Sequence, residues 1–409
     1  MLPRLMPALA MVLLACEGSP PARAPGTPDR GGADAAAADA GPPDGGNADS
    51  GTADAGPLFP IPDWAEGAPE SQGIDSAGLD IAATVAEQNK SLCLLVIRHG
   101  VLVSEHYWNG SDRTTANLSW SVAKSYTSTL VGIALDRGDI HSLDDSAATY
   151  LPQWRGSTRE AITIRNLLSM TSGLSWNVFE DYVELATLAP NETQFALQQP
   201  AVATPGTQWT YDNGAVQIFD PIFRSATGIT IEEYAGLHLW PEIGMQARWA
   251  HDPSGNPTPY ANVLATCRDH ARLGYLYLHQ GNWAGRQVLS STYVAEAIRP
   301  SQSINLAYGM LWWVNAGTPA EDALMQPWPG PMVPFAPEDL FAARGFGNQF
   351  IDVIPSLDLV VVRFGLDPLG HDADGGFADG GFDLPGLLTD SKFGVHDEIL
   401  APILRAVQP

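Results

Sequence analysis

The sequence predicts an α+β fold, with one antiparallel sheet assembled from both ends of the globular region and a helical subdomain inserted between them. Three observations predict it. β-rich runs at 92–98 and 101–107 flank His99-Gly100, which reads as a two-residue hairpin turn. Strand signals then vanish from about 115 to 300, where the patterns are helical and loops fall at Pro152, at Pro190-Asn191 and at 253–259. They return at 308–314, 350–354 and 359–364, the last two joined by Pro355-Ser356-Leu357-Asp358. A cleft is expected where the sheet meets the inserted helices.

The first sixty residues do not read as globular. Arg4 precedes an apolar stretch over 5–14 and then Ala15-Cys16, a secretory pattern too short to span a membrane. Leu13-Leu14-Ala15-Cys16 resembles a bacterial lipobox, which implies cleavage before Cys16 and lipid attachment to its sulfur. Ala22-Arg23-Ala24, the nearby alternative site, is followed by Pro25. Residues 1–16 are therefore read as a lipoprotein signal peptide, which implies an extracytoplasmic protein anchored to the envelope, on its periplasmic side. Residues 17–60 are dominated by Ala, Gly, Pro and Asp, with Asp29, Asp34, Asp39, Asp44, Asp49 and Asp54 recurring every five residues. Without an apolar period there is nothing to bury, so a disordered acidic tether is expected. The globular domain is read as 61–409, with its helical subdomain at about 115–300.

The chain of 409 residues has a formal charge of −25, and nearly all of it falls beyond residue 60. Such a surface argues against nucleic acid and against anionic membranes as partners, leaving the lipid anchor as the membrane contact. Beyond Cys16 there are two cysteines. Cys93 falls in an apolar strand run and Cys267 opens a helical segment, and the expectation is two separate buried thiols rather than a bridge. The nine histidines show no H-E-x-x-H or H-x-H spacing, so neither a catalytic metal nor a cofactor is expected. His270 reads as a packing or surface residue. The acidic, Gly-rich stretch at 371–383 lacks calcium-loop spacing and reads as a solvated loop. No G-x-S-x-G elbow occurs; Gly173-Leu174-Ser175-Trp176-Asn177 is the near miss.

Ser121-Val122-Ala123-Lys124 carries the chemistry. Positions three apart share one helical face, so the lysine can reach the serine hydroxyl unaided. Asn117-Leu118-Ser119 offers polar caps, Val122, Tyr126, Leu130, Ile133 and Ala134 form an apolar pattern, and Gly138 supplies a stop. Ser121 is thus expected in the first turn, where unpaired N–H groups favour developing negative charge. Serine is common, so the tetrapeptide needs company. Ninety residues on, Tyr211-Asp212-Asn213 follows Pro205-Gly206-Thr207, offering a hydroxyl for proton transfer and an amide for a substrate carbonyl. Ala343-Arg344-Gly345-Phe346-Gly347-Asn348-Gln349 leads into the 350–354 strand, and its glycines allow close backbone approach to a ligand.

With these three elements in order, the chain resembles the serine β-lactamase and penicillin-binding-protein superfamily. Within it, the chain is similar to the class C β-lactamase-related hydrolases and 6-aminohexanoate-dimer hydrolase. The likeness runs over about 65–408. It includes Glu70-Ser71-Gln72-Gly73-Ile74-Asp75-Ser76, Ser142-Leu143-Asp144-Asp145, Tyr150-Leu151-Pro152, the stretch 162–174, Arg268-Asp269-His270-Ala271-Arg272 and Tyr308-Gly309-Met310-Leu311-Trp312-Trp313. The resemblance implies a β-lactamase/transpeptidase-like fold with the active site at the subdomain junction. It implies that Ser121 is acylated and that Lys124 and Tyr211 share the proton traffic, either one being the acylation base. Asn213 would orient the substrate beside Gly345 and Phe346, and the backbone N–H groups of Ser121 and Phe346 would hold the oxyanion.

One departure bears on the substrate. Relatives that handle β-lactams or D-Ala-D-Ala peptides carry Lys-Thr-Gly where this chain has Ala343-Arg344-Gly345. An enzyme for carboxylic esters or small amides is therefore expected, with Arg344 either meeting an acidic substrate group or pointing away at the surface. A β-lactamase or D,D-carboxypeptidase is the alternative, and a non-catalytic envelope sensor on the same fold is another. The proline-rich loop at 317–338 offers Trp328 or Phe335 as a lid over an acyl pocket.

Overall fold

The hairpin at the start of the globular region forms as its two β-rich runs and the His99-Gly100 turn predict. In the computed structural model, which describes residues 57–366 and 394–408, strands β2 (Ser91–Arg98) and β3 (Val101–Tyr107) pair antiparallel around His99-Gly100. Both turn residues have positive φ, at 51° and 76°. A short β1 (Ala65–Glu66) adds parallel to β3. Three small strands follow: β4 (Asn117–Leu118), β5 (Ala247–Trp249) and β6 (Val263–Ala265). The C-terminal strands are β7 (Trp313–Val314), β8 (Phe341–Gly345), β9 (Gln349–Ile354) and β10 (Leu359–Gly365).

The main sheet has seven strands in the order β1-β3-β2-β10-β9-β8-β7, so the two ends of the region close one sheet at the β2–β10 pair. Helices α1 (Ser76–Gln88), α2 (Ala123–Arg137), α3 (Asn213–Gln217), α4 (Cys267–Leu278) and α5 (Gly394–Ala406) position the site. Period-two alternation sorts the sheet's two faces. Ile351, Val353 and Val360 meet α4 at Gly274, where an added Cβ would lie 2.7 Å from Ile351. On the opposite face Phe350 and Asp352 meet His396 of α5. Helix α5 packs closely on α1, since a Cβ at Gly78 would come 2.5 Å from that of Ala406.

Two expectations are corrected here. Cys93 and Cys267 form a disulfide joining β2 to the start of α4. The bridge was missed because the two residues are 174 apart in sequence, and their facing is a product of α4 docking on the sheet. The run 308–314 is not one strand. Leu311 has φ 59° and the chain doubles back so that Tyr308 bridges to Trp313, leaving two residues in β7. The 115–300 region is mostly helical, but it also holds the three-stranded sheet β4-β6-β5, whose strands of two or three residues are too short to show a period. The acidic stretch 371–383, Cys16 and the tether up to residue 56 lie outside the described residues. Among the described residues no helix is long and apolar enough to cross a membrane.

Candidate active site

Ser121 sits in a 3-10 turn, Trp120–Val122, that runs straight into α2. The turn is pinned from behind. Ser119 N–H donates to the Val263 carbonyl at 3.1 Å, and the Val263 N–H donates to Ser119 Oγ at 2.8 Å. Ser119 is therefore a link to β6 and not a helix cap. Trp120 has φ 46°, a left-handed conformation that a bulky residue holds only when its surroundings fix it. Two residues beyond β6 the disulfide begins, so the strand supporting the nucleophile is tied to the main sheet.

Helix α2 is buried all round from Ala123 to Ala134, beyond the single apolar stripe expected. Its polar side chains are each bonded inside the protein: Ser125 to the Leu311 carbonyl at 2.8 Å, and Thr127 to that of Pro259 at 2.7 Å. Lys124 is on this helix and is 1% exposed. Its Nζ donates to Ser121 Oγ at 2.9 Å, to Asn213 Oδ1 at 2.6 Å and to the Tyr260 carbonyl at 3.0 Å. Burial pushes the ammonium down to about 7, against the opposing charges of Asp181 and Asp212.

Asp212 caps α3 by accepting from the Ala215 N–H at 3.1 Å, which sets Tyr211 just before the helix and Asn213 at its first position. The Lys124 Nζ lies 4.7 Å from the centre of the Tyr211 ring, which itself stacks on Trp313 with centroids 5.7 Å apart. Burial raises the Tyr211 hydroxyl above its ordinary range, while a hydrogen bond with Ser121 pulls the other way. Ser121, Lys124, Tyr211 and Asn213 thus meet at one point from two elements about ninety residues apart. The Asn213 amide is occupied at both ends, accepting from Lys124 and donating from Nδ2 to Asp181 at 2.8 Å.

The third element closes the other side. Alternation along β8 turns Ala343, paired with Ile351, toward the α4 face, and Arg344, paired with Phe350, toward α5. Arg344 is neither a surface residue nor a simple receptor. Its side chain is 10% exposed, lies 3.9 Å from Asp352 and 3.0 Å from His396, and still lines the cavity beside Ser121. Gly345 abuts the nucleophile turn: a Cβ there would stand 2.5 Å from the Ser119 carbonyl and 3.1 Å from the Ser121 nitrogen. Phe346 follows, its ring edge-on to Trp120 at 5.3 Å. Gly345→Ala is expected to push β8 off the turn and lower kcat about a hundredfold, with a smaller loss of melting temperature. Steady-state kinetics beside thermal unfolding checks this.

The resulting cavity, about 120 Å³, is walled by Tyr182, Tyr211, Trp313, Phe346 and Phe350. The 317–338 loop contributes Asp322, Ala323 and Leu324 to it, whereas Trp328 and Phe335 are absent from its lining and Phe335 is 46% exposed. Sequence reasoning missed Asp181, Tyr260 and Glu192. Asp181 is fully buried against Asn213. Tyr260 supplies a carbonyl to Lys124, and its hydroxyl donates to Glu192 at 3.0 Å. Burial drives the Glu192 carboxyl up to about 8. No spacing marks these three, because a backbone carbonyl and two solitary acids carry no motif. His270 is fully buried, stacked on Phe364 at 4.3 Å and bonded to the Tyr126 hydroxyl, as a packing residue would be. Among the described residues no group of three or more His, Cys, Asp or Glu is arranged to hold a metal ion.

The chain is 24% identical over 230 residues to the 6-aminohexanoate-dimer hydrolase of Paenarthrobacter ureafaciens, covering 52% of this chain and 58% of that protein. It is 28% identical over 193 residues to a beta-lactamase of Pseudomonas fluorescens, covering 47% and 51%. The chain thus spans little more than half the length of these curated relatives. The crystal structure of a family VIII carboxylesterase superposes with a TM-score of 0.57 at 14% identity, covering 82% of this chain and 99% of that one. Residues 80–365 match the family model described as Beta-lactamase. The chain belongs to the Beta-lactamase family, hydrolases of the β-lactamase/transpeptidase-like fold that include esterases and amidases.

Proposed function

We propose that this protein hydrolyses carboxylic esters or small amides through a covalent acyl-enzyme on Ser121. The observation that carries the reading is the buried Lys124 ammonium, 2.9 Å from Ser121 Oγ and pushed down to about 7 by burial. Burial favours the neutral forms of both Lys124 and Tyr211, so Lys124 is the base that takes the Ser121 proton as Oγ attacks the acyl carbon. The Tyr211 hydroxyl relays a proton to the departing alkoxide or amine. The backbone N–H groups of Ser121 and Phe346 hold the oxyanion, a contribution of about 3 kcal/mol per donor in comparable sites. Water then attacks the acyl-enzyme and frees the acid.

The esterase or amidase reading is preferred because Ala343 stands where lactam-handling relatives carry a lysine, and because five aromatic side chains line the cavity. The relative named 6-aminohexanoate-dimer hydrolase supports an amide-cleaving branch, and the one named beta-lactamase supports the alternative. An extracytoplasmic, lipid-anchored location is part of the proposal, and the Cys93–Cys267 disulfide supports an oxidising compartment. The partner is a small-molecule substrate.

The test sets a short p-nitrophenyl ester beside a chromogenic cephalosporin and follows intact mass during turnover. Ester hydrolysis with a transient acyl adduct on Ser121 is expected, and slow cephalosporin turnover. Rapid lactam turnover would favour the β-lactamase alternative. Ligand binding with no hydrolysis of ester, amide or lactam would favour the sensor.

A further inference from the structure

Asp181 lies in the first turn of the segment Glu180–Leu188 and is fully buried. Its carboxylate accepts two hydrogen bonds from a single residue, Asn213, from the backbone N–H at 2.9 Å and from Nδ2 at 2.8 Å. That arrangement leaves the amide one orientation. With Nδ2 committed to Asp181, Oδ1 must face Lys124, and it accepts from Nζ at 2.6 Å. Flipping the amide would set its oxygen against the carboxylate and its NH₂ against the ammonium, a double mismatch in a buried site. The same segment brings Tyr182 to the cavity wall.

We propose that Asp181 is a positioning residue that locks the Asn213 amide, thereby holding Lys124 at Ser121 and setting the pH at which Lys124 accepts the serine proton. The proposal rests on the Ser121–Lys124 reading above. Groups from several elements face the ammonium. Ser121 faces it from the nucleophile turn, and Tyr211, Asp212 and Asn213 from the start of α3. The Tyr260 carbonyl and ring approach from the loop before β6, with the Tyr260 hydroxyl tied to Glu192. Of the two acids whose charge opposes the burial of Lys124, Asp212 caps α3 through Oδ1 and makes no hydrogen bond toward the lysine. Asp181 alone of the two is linked to the lysine through a continuous hydrogen-bonded path.

Asp181→Asn keeps the shape and one acceptor oxygen and removes the charge. The chain has three lysines, Lys90, Lys124 and Lys392, so Lys124 can be titrated by the NMR signal of its ¹³C-labelled ε-carbon. In the variant its midpoint is expected to fall by about one pH unit. The acid limb of kcat/KM should move the same way, and kcat should drop about tenfold with KM nearly constant. A lysine midpoint and an acid limb that both stay in place would overturn the proposal, whatever happens to the melting temperature. Should the variant not fold, the native protein supplies the test: the lysine signal must follow two coupled steps, and a single-group titration overturns the idea. Because that signal is read without turnover, it is separable from failure of the hydrolase reading, which would appear as activity surviving in Ser121→Ala.

Discussion

Ser121→Ala is expected to reduce ester turnover by about ten-thousand-fold or more, with KM little changed and the melting temperature within a few degrees of the parent. The size follows from the mechanism. Without Oγ there is no acyl-enzyme, and the remaining oxyanion donors and binding cavity can assist only a direct attack by water. The fold should hardly notice, because Ser121 stands at the cavity wall, with the buried helix beginning beyond it. Intact-mass analysis should find no acyl adduct on the variant. Undiminished activity would mean that another nucleophile does the work.

Lys124→Met is expected to have the second largest effect, a loss in kcat of about a thousandfold. Methionine fills a similar volume without a base. It also removes the charge facing Asp181 and Asp212, which burial already raises above the ordinary carboxylate range, so both acids should take up protons more readily. The pH profile gives the sign. With the lysine pushed down to about 7, kcat/KM in the parent should rise with pH and level off above about 7 as Lys124 becomes neutral. A profile that instead fell through that range would require a charged lysine and assign the base role to Tyr211. In Lys124→Met the limb near 7 should be gone from whatever residual activity persists.

The parts of the site legible in the sequence were those whose spacing is local. Ser121 and Lys124 are one turn apart, so helical geometry alone brings Nζ to Oγ. Gly345 was marked as a point of close approach, and the reason is now visible in the atoms its Cβ would strike. The hairpin 91–107 and strands β9 and β10 were readable because β-branched, apolar runs and turn residues are also local signals. Residues that act through contacts made only in the folded chain were not legible. The Tyr260 carbonyl could belong to any residue type, and Asp181 sits between Glu180 and Tyr182 with nothing to distinguish it from a surface acid.

The sequence by itself determined the sheet built from both ends of the domain, the order of the three motifs, and the loss of the lysine at position 343. Each of these depends on residue identity or short-range periodicity. Tertiary structure decided the rest. It joined Cys93 to Cys267 across 174 residues and turned Arg344 onto the α5 face beside His396 and Asp352. It also gathered Asp181, Asn213 and Lys124 into one buried chain of hydrogen bonds. The physical reason is that burial sets the electrostatics of the site. A lysine becomes a base near neutral pH only when packing from several distant segments has stripped its water, and no window of sequence contains that packing.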